Sequence, residues 1–140
     1  MTRPASLADL EAFARECLAA HRYPHDHHPF RLFTCDACGV VGFAVTIEHH
    51  TGSKKGDFKG VIWGECSQCG SRKQLFRFTG DHRRQLRTEK PVCECGGTSF
   101  VVGECERIEG GEGLMGFVDE GVVVGKCCLC GRGRALVYTD

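Results

Sequence analysis

CDACG (residues 35–39) and CSQCG (residues 66–70) are two copies of one motif, with 27 residues between Cys38 and Cys66. Two cysteines separated by two residues sit on one tight turn, so both sulfurs can converge on a single ion at Zn–S distances of about 2.3 Å. The glycine that follows each pair tolerates a positive φ and lets backbone N–H groups face the sulfurs, where they disperse thiolate charge. Two such turns at the ends of neighbouring strands complete a tetrahedron. Cys35, Cys38, Cys66 and Cys69 are therefore expected to hold one structural metal ion.

The motif recurs. Residues 60–76, GVIWGECSQCGSRKQLF, align with residues 121–137, GVVVGKCCLCGRGRALV, at an offset of 61. Upstream, Cys38, Gly39, Phe43 and Val45 align with Cys95, Gly96, Phe100 and Val102 at an offset of 57. A repeat at a fixed period is read before anything else, because each copy is one folding unit. The second copy carries Cys127 and Cys130 in CCLCG, and Cys93 and Cys95 in CECGG. Its early pair is one residue short. At the offset of 57 the counterpart of Cys35 is Val92, so Cys93 is expected to reach the metal from a neighbouring position. Cys105 and Cys128 are spare thiols that would replace a missing ligand. Cys17 lies on an apolar helical stripe and reads as a small core residue.

These residues resemble the zinc-ribbon family. The resemblance rests on CDACG…CSQCG and covers residues 31–80 and 91–140. It implies a small, mainly β, metal-bound fold: two tandem antiparallel zinc ribbons behind one N-terminal α-helix, with two structural zinc ions. The expected layout is a helix and His-rich connector over residues 1–30, a first ribbon over 31–80, a basic linker over 81–90 and a second ribbon over 91–140. Rubredoxins also use two CxxCG turns with a similar gap but hold iron. Their shell is more aromatic and acidic than the first unit here, so an iron electron carrier is the lesser alternative.

Local patterns support this division. Ser6 precedes a stripe of Leu7, Leu10, Ala14, Cys17 and Leu18, with Asp9 three residues on, which predicts a capped helix ending near Arg22. Val41, Phe43, Val45 and Ile47 alternate with polar or small residues and predict a half-buried strand. TGSKKGD at 51–57 is turn chemistry. Strands are expected at 58–65 and 73–79, and in the second unit near 99–106, 115–118, 121–126 and 134–138.

Eleven cysteines among 140 residues fit either disulfides in a secreted chain or metal ligands in a reducing compartment. The odd count, the ligand-like spacing and the lack of an apolar signal segment favour metal and a cytoplasmic protein. No apolar run approaches the roughly 18 residues of a membrane span. The formal net charge is zero, but residues 31–90 hold 11 Lys+Arg against 6 Asp+Glu, and residues 91–140 hold 4 against 8. A basic half is joined to an acidic half.

Four thiolates leave no open position on the metal, unlike catalytic zinc. No serine–histidine–acid set or phosphate loop is recognisable, so no enzymatic activity and no small-molecule substrate are expected. The leading expectation is an adaptor or accessory subunit that docks a larger protein assembly, with the acidic second unit suited to a basic protein or to the first unit of another copy. The alternative is nucleic-acid binding by the first ribbon and linker. Its candidates are Lys54, Lys55, Arg72, Lys73, Arg77, Arg83, Arg84 and Arg87, with Trp63, Phe76 and Phe78 interleaved. His21, His25, His27 and His28 with Asp26 read as a polar connector more readily than as a further metal site.

Overall fold

Phe43 stands directly opposite Phe100, and the two residues occupy the same place in the two repeats. The computed structural model describes residues 7–18, 29–50, 59–78, 86–109 and 117–139. They form helix α1 (Leu7–Cys17) and eight strands: β1 (Phe30–Leu32), β2 (Gly42–His50), β3 (Gly60–Cys66), β4 (Arg72–Phe78), β5 (Leu86–Glu89), β6 (Ser99–Glu109), β7 (Phe117–Cys127) and β8 (Gly133–Thr139). The fold is mainly antiparallel β with one N-terminal helix, as the spacing and periodicity predict.

All eight strands belong to one sheet of order β4-β3-β2-β6-β7-β8. The first repeat supplies β2, β3 and β4; the second supplies β6, β7 and β8. They meet through Gly42↔Val101, Phe43↔Phe100 and Ala44↔Ser99. Adding 57 to either first-repeat flank gives the partner of the other, so the two halves are related by a local two-fold axis at the Phe43–Phe100 pair. Such a contact has the self-complementary form of a two-fold dimer interface.

The two short strands strengthen this junction by crossing it. β1, which precedes the first repeat, pairs with β6 of the second through Phe30↔Cys105, Arg31↔Glu104 and Leu32↔Gly103. β5, which precedes the second repeat, pairs with β2 of the first over Ile47↔Glu89 to His50↔Leu86. Each half therefore receives its flanking strand from the other. Residues 86–89, inside the stretch expected as a linker, are part of the sheet.

The observed elements differ from expectation in two further ways. Residues 117–127 form one continuous strand in place of two, and Gly121 lies within it opposite Thr139. A Cβ at Gly121 would sit 2.8 Å from the Thr139 hydroxyl, so glycine here marks a close approach, not a break. Helix α1 ends at Cys17, where the Leu18 N–H donates to the Arg15 carbonyl at 3.1 Å in a tightened final turn. The proposed cap Ser6 and the segment to Arg22 lie outside the described residues.

Both repeats carry a β-bulge at the same place, between Ile62 and Trp63 and between Val123 and Val124. The inner faces of both halves share one core that includes Phe43, Ile47, Ile62, Phe100, Val102 and Val123, all at most 1% exposed. A second core lies on the outer face of the second half. There Leu10, Ala14 and Leu18, spaced four residues apart along one side of the helix, cover Val101, Cys105, Val122 and Val124. Complete burial of each such leucine contributes about 1.5–3 kcal/mol.

Candidate metal centres

Four turns present the eight cysteines. In the first half, the Gly39 N–H donates to the Cys35 carbonyl and the Cys35 N–H to the Val40 carbonyl, both at 2.8 Å. The 66–71 turn repeats this pattern, with Gly70 donating to Cys66 at 3.0 Å and Cys66 to Ser71 at 2.8 Å. The 127–132 turn repeats it again. The glycine after each second cysteine has a positive φ, between 76° and 90° at Gly39, Gly70, Gly96 and Gly131. At Gly39, Gly70 and Gly96 a Cβ would touch nothing, so backbone conformation alone requires the glycine.

The fourth turn is one residue tighter. The Gly96 N–H donates to Cys93 and the Cys93 N–H to Gly97, both at 2.8 Å. The missing residue thus lies between the cysteines, and Cys93 occupies the place of Cys35. The pairing of Cys35 with Val92 implied by the constant offset is corrected accordingly: Val92 stands outside the turn, 54% exposed. The tighter turn draws residue 97 over the sulfurs. A Cβ at Gly97 would lie 2.6 Å from Cys127 Sγ and 3.4 Å from Cys95 Sγ, which explains the second glycine of CECGG.

These turns gather Cys35, Cys38, Cys66 and Cys69 into one group and Cys93, Cys95, Cys127 and Cys130 into another, all sulfurs of a group within 4.8 Å of one another. Cys35 and Cys69 Sγ are 3.5 Å apart, as are Cys38 and Cys66, and Cys93 and Cys130; Cys95 and Cys127 are 3.6 Å apart. A disulfide needs about 2.05 Å. A tetrahedron with metal–sulfur bonds of about 2.3 Å has edges of roughly 3.8 Å. Each group could hold a metal ion. All eleven cysteines are free thiols. Cys105 is wholly buried in the core under the helix, and Cys128 is exposed; neither joins a group.

The electrostatics of each group call for a cation. The Ser71 hydroxyl and N–H both favour the Cys69 thiolate and hold it down to about 6. Burial raises Cys127, but the Cys130 and Leu129 N–H groups outweigh it and bring the thiol to about 7. The Leu129 N–H reaches Cys127 Sγ at 3.4 Å. The Val40 N–H favours the Cys38 thiolate, yet the Cys66 sulfur, burial and the other two sulfurs push it up to about 12. For Cys95 the Gly97 N–H has the same favourable effect, and burial with three neighbouring sulfurs again drives it to about 12. Like charges this close cannot all ionise alone; a divalent ion removes that conflict and displaces the protons.

In each group Cys35 and Cys66, or Cys93 and Cys127, face the shared core. Cys38, Cys69 and Cys95 are exposed and Cys130 is partly so. Cys66 pairs with Phe43, Phe43 with Phe100, and Phe100 with Cys127. One row across four strands therefore joins the two centres, three strand spacings or roughly 14 Å between its ends.

Of the basic candidates, Lys73 braces a turn: its Nζ donates to the Thr34 carbonyl at 2.9 Å and meets Asp36 at 3.2 Å. Arg134, at the equivalent place in the second half, donates to the Val92 carbonyl at 3.2 Å, and Arg132 pairs with Glu94. The offset of 61 between the repeats places Arg134 opposite Lys73, so the sequence itself carries the signal for this second brace. Arg72 lies over the Trp63 ring, 4.4 Å from its centre, and the Trp63 N–H donates to Glu48. Arg77 and Arg87 are exposed. Lys54, Lys55, Arg83, Arg84 and the histidines of residues 21–28 lie outside the described residues. Comparison with known proteins finds no matching protein family, no matching curated protein and no matching solved structure.

Proposed function

We propose that the chain is a non-catalytic zinc-binding adaptor that docks onto a larger protein assembly, its shape set by two structural zinc ions in tandem zinc-ribbon sites. The observation that carries this reading is the closed donor set: four thiols converge within 4.8 Å in each group. Zinc suits four thiolates in a tetrahedron, and a site so filled has no position left for water or substrate. When bound, the metal contributes folding free energy and lateral rigidity; the protein supplies four thiolates, the N–H groups that stabilise them, and the basic braces at Lys73 and Arg134. A rigid scaffold with no open metal position acts by presenting surfaces.

The test is purification of the full chain from its native cells under several salt conditions. A protein partner in constant ratio to the chain is the expected result. Recovery of the chain alone at every salt concentration contradicts the reading. Metal analysis of the same sample separates zinc from the iron of a rubredoxin-like carrier.

One observation favours nucleic acid as a second reading. The outer face of the first half carries Trp63 with Arg72 stacked on it, beside Lys90 and a groove of about 270 Å³. An aromatic platform with a stacked arginine suits a nucleobase, although Glu65 shares the groove. The Arg72→Ala variant then weakens binding of a single-stranded oligonucleotide and flattens its salt dependence; an unchanged slope removes this reading.

A further inference from the structure

β4 ends the sheet: β3 pairs with one side of it, and among the described residues no strand pairs with the other. Along that strand, from Gln74 to Arg77, runs a cleft of about 510 Å³. Its opposite wall comes from the second half and from β1, and includes Arg31, Glu104, Glu106 and Thr139. Phe76 gives it an apolar side. Leu75 is the extra residue of the β4 bulge, so Gln74–Arg77 advances by about three strand residues, roughly 10 Å, enough to pair with a short extended segment on either side of the bulge.

The charges select what fits. Glu104 and Glu106 are two residues apart on β6 and point the same way. Glu104 is only 7% exposed, and its carboxyl meets Arg31 at 3.2 Å. Burial raises the Glu104 carboxyl, Arg31 opposes that, and the neighbouring Glu106 carboxyl adds to the rise. Among the described residues Arg31 answers one of two adjacent acids, which leaves this wall short of a cation. Arg77 stands exposed on the facing strand.

We propose that this cleft takes an extended basic segment of a protein partner, whose backbone adds a strand to the free edge of β4 while a lysine or arginine reaches the Glu104–Glu106 pair. This deepens the docking reading and rests on it. Main-chain hydrogen bonds to the edge supply affinity, and the alternate side chain that enters the cleft supplies selectivity. An acidic residue further along the segment meets Arg77. An anion in place of the lysine would bring a third negative group beside a nearly buried carboxylate and is disfavoured.

The experiment titrates the isotope-labelled, metal-loaded full chain with a short capped peptide that alternates threonine and valine around one central lysine. Amide resonances of Gln74–Arg77 are expected to shift. A peptide with glutamate in place of lysine binds about tenfold more weakly or worse. The Glu106→Gln variant, which keeps size and hydrogen-bonding capacity, loses about the same factor while its remaining spectrum is unchanged. A peptide N-methylated at its pairing amides does not shift Gln74–Arg77. Equal binding of lysine and glutamate peptides, no shift along Gln74–Arg77, or an unaffected Glu106→Gln variant overturns the proposal. An oligothymidylate probe that shifts Trp63 and Arg72, with Gln74–Arg77 unmoved by peptide, overturns it as well. If the peptides fail while the chain still purifies with a protein partner, this assignment falls and the docking reading stands.

Discussion

The two halves share a backbone plan and differ on their outer faces. In the second half that face carries Val101, Gly103, Cys105, Val122 and Val124, which α1 covers or Phe30 and Leu32 flank. The same positions of the first half are Ala44, Thr46, Glu48, Val61 and Trp63. Small apolar residues admit a helix at close range; a glutamate and a tryptophan capped by Arg72 do not. The inner-face and ligand positions, by contrast, match: Phe43 with Phe100, Ile62 with Val123, Cys66 with Cys127. The cysteine turns and the core are common to both halves, and the outer faces diverge.

The sharpest way to break the comparison is to remove the metal. With both centres backed onto one core, chelation of either is expected to unfold both halves together, because a structural zinc ion contributes about 10–16 kcal/mol in zinc-finger peptides. Amide dispersion and far-UV circular dichroism during titration with a chelator are expected to show one transition. Two separate transitions would mean that the halves fold independently.

Next in size are the rings on the two-fold axis. Phe43→Ala and Phe100→Ala remove fully buried side chains and each lowers stability by about 3–5 kcal/mol. Because the two residues pair across the axis within one core, thermal or urea unfolding of the double variant falls short of the sum of the single effects. Strict additivity would show that the junction is not shared.

The covered and uncovered faces then separate. Leu10→Ala, on the buried face of the helix at 2% exposure, destabilises by about 2–4 kcal/mol. Trp63→Ala, on the partly exposed face, costs about half as much or less, since solvent already reaches the ring. Urea unfolding ranks the two, and a reversed order contradicts the assignment of faces.

The smallest contrast lies between glycines. Gly39→Ala strains only the backbone, by about 1 kcal/mol. Gly97 has no positive φ, and Gly97→Ala instead drives a methyl group towards Cys127 Sγ, 2.6 Å away on the native backbone, and costs about 1–3 kcal/mol. Competition with a metal-binding dye is expected to show weaker metal retention in the second centre for Gly97→Ala. Equal behaviour of both variants would show that the short turn relaxes.

Much of this was legible in the residues. The CxxCG spacing carries local turn geometry, and alternation at 41–47 carries strand and burial together, so the ligand groups and most strands follow from short stretches. Long-range pairing does not. Phe30-Arg31-Leu32 and Leu86-Arg87-Thr88-Glu89 are too short for a period, and their partners lie 71 and 36 residues away at closest. Their exchange between halves is a property of the assembled two-fold junction. The position of the deletion in CECGG was likewise hidden, because a constant offset cannot say on which side of Cys95 a residue is missing; the hydrogen bonds of Cys93 and Gly96 do.

The most direct test of two metal-saturated thiolate centres is metal quantification with X-ray absorption at the metal edge on the purified full chain. The account predicts two zinc ions per chain, each with four sulfur neighbours at about 2.3 Å and no oxygen or nitrogen ligand. Fewer than two ions, a light-atom ligand in either shell, or cysteines found linked to one another would contradict it.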